Sequence, residues 1–358
     1  MLSATTSSHT HSNTQTKDEQ MSFGDWFIIK AQKYSISENN MADVSTKNWM
    51  SALDENLTLD SISMPGTHDS GTQKALKGGA RTQNFGIYDQ LSDGIRFLDI
   101  RVKPNGPELD PLNIYHGDFS CGISFGDVLN DCLKFLSENR SESVVMLMNA
   151  ATNSDKDIQT KFDEYLKQEK YKHLFYLEPR IPALHEVQSK IVLLRRFDGD
   201  EGIDLSNGWE KNATFTLTTP ENQVFRIEDE YQQHDTHKKM ATVHSSINRA
   251  METPNDNAVH ITYNSISLGG HSPYQYAWGG GFGKVDPKMN PGLTEFLAEQ
   301  QKEKRFGIVV LDFYNNEEGH IDNRNAELII NANSGVELKN SEYARSSSTI
   351  KEGHSYLV

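Results

Sequence analysis

The chain has 358 residues, 36% hydrophobic and 24% charged, a globular composition with room for two ordinary domains or one (β/α) barrel. Its formal net charge of −15 argues against a nucleic-acid partner, which needs a basic field to displace counterions, and against long-range attraction to an anionic bilayer. No apolar run approaches the roughly 20 residues that cross a bilayer. Two cysteines, Cys121 and Cys132, permit at most one bridge; both read as reduced thiols, with Cys132 on the apolar face of a helix.

Residues 1–22 are rich in Ser and Thr and lack the apolar segment of a secretory signal, which leaves cytoplasmic residence, a signal already removed or another export route open. They and the Ser-rich stretch 340–358 are expected to be polar tails flanking one domain, 25–339. Inside it, strand-length apolar runs follow one another: "TLDSISM" (58–64), "GIRFLDIRV" (94–102), "LNIYHG" (112–117), "SVVMLMN" (143–149), "KIVLLRRF" (190–197), "VFRIEDEY" (224–231), "AVHITYN" (258–264) and "FGIVVLDFYN" (306–315). Helical periodicity fills several gaps. It is clearest over 124–139, where Phe125, Val128, Leu129, Cys132, Leu133 and Leu136 form one stripe behind a Ser124 cap. Further helices are predicted over 157–170, 245–253, 292–304 and 325–332. Strands alternating with helices imply a parallel sheet covered on both faces, and eight such strands in one domain imply an α/β fold of the (β/α)8 TIM-barrel type.

The charges fall unevenly along these strands. Period-2 alternation puts Phe97, Asp99 and Arg101 on one face, Val192, Leu194 and Arg196 on another, and Ile308, Val310 and Asp312 on a third. In each, apolar residues give way to charge at the C-terminal end, the rim where such barrels hold their active sites. A buried salt-bridged layer is the structural alternative for Asp99 and Arg101. His68 in "PGTHDS" and His116 in "NIYHGD" also close strands, each beside an acid, Asp69 or Asp118. Two imidazoles that titrate near neutrality suit a general base and a general acid.

Taken in order, "MPGTHDSGT", "QLSDGIRFLDIRV", "YHGDFS", "SESVVMLMN", "KIVLLRRF", "EDEY" and "VVLDFYN" resemble the catalytic X domain of bacterial phosphatidylinositol-specific phospholipase C, over about 50 to 316. The resemblance implies an irregular (β/α)8 barrel that cleaves phosphatidylinositol to diacylglycerol and inositol 1,2-cyclic phosphate. It further implies His68 as general base oriented by Asp312, His116 as general acid supported by Asp69, and Arg101, held by Asp99, as the group that neutralises phosphate charge. Arg196, Asp229 and Tyr231 would hold the inositol ring. In metal-dependent relatives a carboxylate stands at the Arg101 position, so the resemblance implies neither catalytic metal nor any other cofactor. It also implies a secreted monomer that meets its lipid transiently, through rim aromatics such as Trp278 and Phe282; packing over the barrel mouth is the alternative for that segment, which also holds Tyr274 and Tyr276.

Two departures stand out. Asn149 replaces a lysine that metal-independent members tend to carry after "VVMLM", and His271 stands near an expected rim tryptophan. Two other readings keep the barrel: a metal-dependent glycerophosphodiesterase acting on soluble diesters, and a non-catalytic barrel that binds inositol phosphates.

Overall fold

Alternation along the strands sorts the apolar residues into two cores. In the computed structural model, which describes residues 44–75, 79–106, 110–152, 157–267, 269–281, 283–300, 302–316 and 324–338, Phe97, Val145, Leu147, Val192, Leu194, Ile261, Ile308 and Val310 pack together inside the sheet. Their sequence neighbours Leu98, Ile100, Met146, Met148, Leu193, Val309 and Leu311 pack outside it, beneath the helices. The expected tails 1–22 and 340–358, and Phe282, lie outside the described residues.

In chain order the elements are β1 (Met64–Thr67), α1 (Ile87–Ser92), β2 (Phe97–Pro104), β3 (Leu112–His116), β4 (Phe119–Ser124), α2 (Phe125–Glu138), β5 (Val144–Ala150), α3 (Ile158–Leu166), β6 (Phe175–Tyr176), α4 (Leu184–Val187), β7 (Ile191–Arg196), β8 (Ile203–Asp204), β9 (Ala213–Thr218), β10 (Val224–Asp229), α5 (Thr236–Glu252), β11 (Ala258–Tyr263), α6 (Pro273–Trp278), α7 (Met289–Ala298), β12 (Ile308–Leu311) and α8 (Arg324–Asn331). Strands β6-β7-β5-β2-β1-β12-β11-β10 neighbour one another in that order and all run parallel, the eight strands of an irregular (β/α)8 barrel. The irregularity is that β7 pairs directly with β5, leaving β6 outside its place in chain order. Among the described residues no ladder joins the β6/β8 edge to the β9/β10 edge. The inner core bridges that seam instead, with Ile203 and Leu205 on one side and Phe215, Leu217 and Phe225 on the other. The Ile181 amide adds a hydrogen bond to Gln223 Oε1 at 3.0 Å.

Two of the predicted strands take other forms. "LNIYHG" becomes β3, which runs antiparallel to β2 and makes a hairpin with β4 outside the barrel. A parallel return needs a crossover of roughly a dozen residues or more, and only 105–111 separate β2 from β3. The eighth parallel strand is the two-residue β6, too short to produce a pattern. "TLDSISM" is mostly a 3-10 turn, Leu59–Ser61. Its Ser61 hydroxyl donates to the Thr58 carbonyl at 2.6 Å, a local bond that competes with a ladder, and the strand begins only at Met64. The predicted helices all form, and Ser124 caps α2 in a reciprocal pair with Asp127.

Arg96, on the outward parity of the strand run that carries Asp99 and Arg101, is fully buried. Its guanidinium bonds Glu142 at 3.0 and 2.7 Å, reaches the carbonyls of Leu91, Ile95, Thr46 and Lys47, and lies 4.6 Å from the Phe135 ring centroid. It thereby fastens the segment around Trp49 to the barrel. Glu142→Ala strands this cation, and the expected loss is about 3–5 kcal/mol of unfolding free energy. Urea titration checks it; a loss under about 1 kcal/mol would show the pair to be dispensable.

Candidate active site

The turn after β1 begins with a close approach. A Cβ at Gly66 would fall 2.8 Å from the Phe97 ring, so only glycine lets β1 lie this near β2. Asp69 then adopts a left-handed φ of 43°, a conformation that Asp tolerates better than most residues. Hydrogen bonds hold it there: Ser70 N to the Asp99 carbonyl at 2.9 Å, Asp99 N to Ser70 Oγ at 2.9 Å, and Gln83 Nε2 to the carbonyls of His68 and Leu311 at 2.9 and 2.8 Å. The ends of β1 and β12 are thus tied by one buried amide. Nothing in the local pattern of "RTQNFG" singles out Gln83.

This frame assembles five of the six predicted catalytic side chains into a single cluster. His68 Nδ1 lies 2.8 Å from Asp312 Oδ1, while its Nε2 lies 3.3 Å from Asp69 Oδ2 and 3.1 Å from an Arg101 terminal nitrogen. Arg101 Nε lies 2.8 Å from Asp69 Oδ1, and its Nη2 lies 3.2 Å from Asp99 Oδ2. His116, the sixth, stands beside the cluster. Its Nδ1 is 2.7 Å from the Ala80 carbonyl, to which it can donate, and 3.5 Å from Asp69 Oδ2. Donation to Ala80 fixes the tautomer and leaves Nε2 as the ring atom free for other chemistry. Its sequence neighbour Asp118 is not its partner: that carboxylate is exposed and lies 3.5 Å from Lys103, because the hairpin turn at Gly117 directs it outward.

Burial and pairing pull these groups in opposite directions. Burial alone would push the His68 imidazole down, but Asp69 and Asp312 outweigh it and hold it up at about 9, against an ordinary 6.5. Asp69, which burial would raise, is held low by Arg101 and the two histidines. Arg101 is kept above its ordinary value despite burial by Asp69 and Asp99. Ligand atoms of His68, Asp69 and Asp99 fall within 4.8 Å of one another, close enough to hold a cation. The Arg101 guanidinium touches all three, so the donor set does not fit a divalent ion while that side chain remains.

The cluster opens into a cavity of about 750 Å³. Arg101, Asn149 and Arg196 sit in register on adjacent β2, β5 and β7 and all line it, with neutral Asn149 between the two guanidiniums. Asp229 and Tyr231 form the facing wall, and Tyr231 is half-buried there rather than in the core. Two further lining residues, which periodicity could not find, are Trp209 and Lys211 on the loop before β9. The Trp209 ring lies 3.8 Å from the Arg196 guanidinium, and its indole N–H donates to Asp229 at 3.1 Å. Burial lowers Arg196 and raises Asp229, each destabilised as an ion until a ligand or partner meets it. Of the predicted rim aromatics among the described residues, Tyr276 is buried, the Tyr274 hydroxyl donates to Asn316 at 3.0 Å, and the Trp278 indole N–H donates to the Phe313 carbonyl at 2.7 Å. Both cysteines are buried free thiols.

Residues 53–197 match the family described as phosphatidylinositol-specific phospholipase C, X domain. The 1-phosphatidylinositol phosphodiesterase of Staphylococcus aureus is 29% identical over 80% of this chain and 89% of its own length. That of Listeria monocytogenes is 29% identical over 80% and 88%. Among solved structures, a phosphatidylinositol-specific phospholipase C from S. aureus superposes with a TM-score of 0.72 at 27% identity, over 82% of this chain and 99% of the other. The L. monocytogenes enzyme superposes with a TM-score of 0.62, also at 27% identity.

The His68 pair gives a measurable signature. Because the folded-state value lies above 6.5, its contribution to stability is complete below pH 6.5 and is lost as pH rises through about 9. An NMR titration of the His68 ring is expected to show a midpoint near 9 in the wild type. Asp312→Asn should lower that midpoint by about one unit or more. A wild-type midpoint at the ordinary 6.5 would contradict the pairing.

Proposed function

We propose that the protein cleaves phosphatidylinositol to diacylglycerol and inositol 1,2-cyclic phosphate without a metal, a reading supported by the match of residues 53–197 to the phosphatidylinositol-specific phospholipase C X domain. The observation that carries this reading is the pair of imidazoles that meet on one buried carboxylate, His68 at 3.3 Å and His116 at 3.5 Å from Asp69 Oδ2, with the Arg101 guanidinium on the other oxygen of that carboxylate, at the end of a cavity large enough for an inositol phosphate.

Neutral His68 takes the proton of the inositol 2-hydroxyl, whose oxygen then bonds to phosphorus while the bond from phosphorus to the glycerol oxygen breaks. His116, as the imidazolium, gives its Nε2 proton to that departing oxygen and keeps the Nδ1 proton on the Ala80 carbonyl. Asp312, on His68 Nδ1, fixes the tautomer and supports the imidazolium that forms. Arg101 is positioned by Asp69 and Asp99 to meet the non-bridging oxygens as negative charge grows there. The nucleophile is already attached to the reacting phosphate, so orientation and charge do most of the work. At neutral pH the resting His68 is mostly protonated, and the reactive form grows as pH approaches about 9. Arg196 and Asp229, braced by Trp209, are suited to bridge ring hydroxyls, and Tyr231 offers a flat face to the ring. Asn149 would meet the ring with an amide in place of a cation. Among the described residues no helix is long and apolar enough to cross a membrane, and the lipid is met transiently at a surface.

Phosphorus NMR of phosphatidylinositol in mixed micelles with excess chelator tests the proposal. The wild type is expected to produce a cyclic-phosphate resonance, and His68→Ala to slow it by about a thousandfold or more. Silence from the wild type that calcium relieves would overturn the metal-free mechanism. Silence that calcium does not relieve would overturn the substrate.

A further inference from the structure

Among the described residues the large apolar side chain left open to water is Phe119, 68% exposed. One exposed apolar residue is ordinary by itself, so its position must carry the argument. Phe119 begins β4 and is the cross-strand partner of His116 in the hairpin. Among the described residues that hairpin pairs with the sheet only through β3 and β2, and His116 holds its tip at the barrel rim through the Ala80 carbonyl and Asp69. The turn is tight, with Gly117 at a left-handed φ of 55°. Phe119 also lines the mouth of the cavity into which His68 and His116 open, while Lys103 at 3.5 Å accompanies the neighbouring Asp118.

What lies beyond His116 follows from the chemistry. The atom His116 protonates is the glycerol oxygen, and the glycerol carries the acyl chains. Those chains gain nothing from a cavity lined by Arg101, Arg196 and Asp229, and they leave it past the residues nearest the general acid. An aromatic ring at the tip of that hairpin meets them first. We propose that Phe119 is an interfacial contact, inserting among the acyl chains of the lipid layer that presents the substrate. The inference rests on the lyase reading above and adds a lipid-contacting residue outside the segment where the sequence resemblance placed rim aromatics.

The test compares Phe119→Ser and Phe119→Trp with the wild type in two assays and one binding measurement. The assays are turnover of phosphatidylinositol in phosphatidylcholine vesicles and hydrolysis of water-soluble inositol 1,2-cyclic phosphate; the binding is sedimentation with the same vesicles. Phe119→Ser is expected to lower vesicle binding and vesicle turnover by about tenfold or more, and Phe119→Trp to restore both. Hydrolysis of the soluble substrate should stay within about twofold, since that substrate has no acyl chain to contact. An equal loss on both substrates would place Phe119 in the site's framework and overturn the inference, as would unchanged vesicle binding and turnover. A wild type inactive on both substrates would remove the lyase reading alone. Vesicle binding would then still decide the contact, with loss in Phe119→Ser supporting it and no loss refuting it.

Discussion

Three carboxylates that are almost completely out of water, Asp69, Asp99 and Asp312, converge at the rim of this barrel. Burying that much like charge costs several kcal/mol per ion unless cations meet it directly. The Arg101 guanidinium does so for Asp69 and Asp99, while His68 bridges Asp69 and Asp312. Everything else at the site inherits this constraint. The turn can hold Asp69 in a left-handed conformation because its carboxylate is anchored twice. His68 is pulled up to about 9 by the same carboxylates that orient it. Arg101 occupies the space that a divalent ion would need among His68, Asp69 and Asp99.

The cavity divides accordingly. At one end stand the carboxylate–arginine–histidine cluster and His116, to which we assign proton transfer and phosphate charge. At the other, Arg196 and Asp229 are less completely paired, and Trp209 braces both, stacking on one and donating to the other. Strand register connects the two ends: Arg101, Asn149 and Arg196 are neighbours across three parallel strands, so a shift in one strand would misplace both. A chain with a formal charge of −15 thus focuses positive charge on a single inner wall.

Much of this was legible in the sequence. Period-2 alternation separated the two faces correctly on β2, β7 and β12, and so put Asp99, Arg101, Arg196 and Asp312 on the inner side at strand ends. The motif order carried the family resemblance as well. What escaped had no local signature. Strand β6 is two residues long, and β3 turned outward because its connection was too short for a crossover. Asp118 sits two residues from His116 yet points away, whereas Asp69 reaches it across the fold. Gln83, Trp209 and Lys211 lie in loops without periodicity, and only the fold brings them to the site.

Arg101 fills the position that a divalent cation would need among His68, Asp69 and Asp99. Manganese titration of the wild type, followed through the NMR linewidths of the His68 ring protons near neutral pH, tests it most directly. No broadening of His68 is expected beyond that of exposed histidines such as His237, because the guanidinium fills the position and the imidazole is protonated. Selective, saturable broadening of His68 would place an ion among His68, Asp69 and Asp99 and contradict the claim.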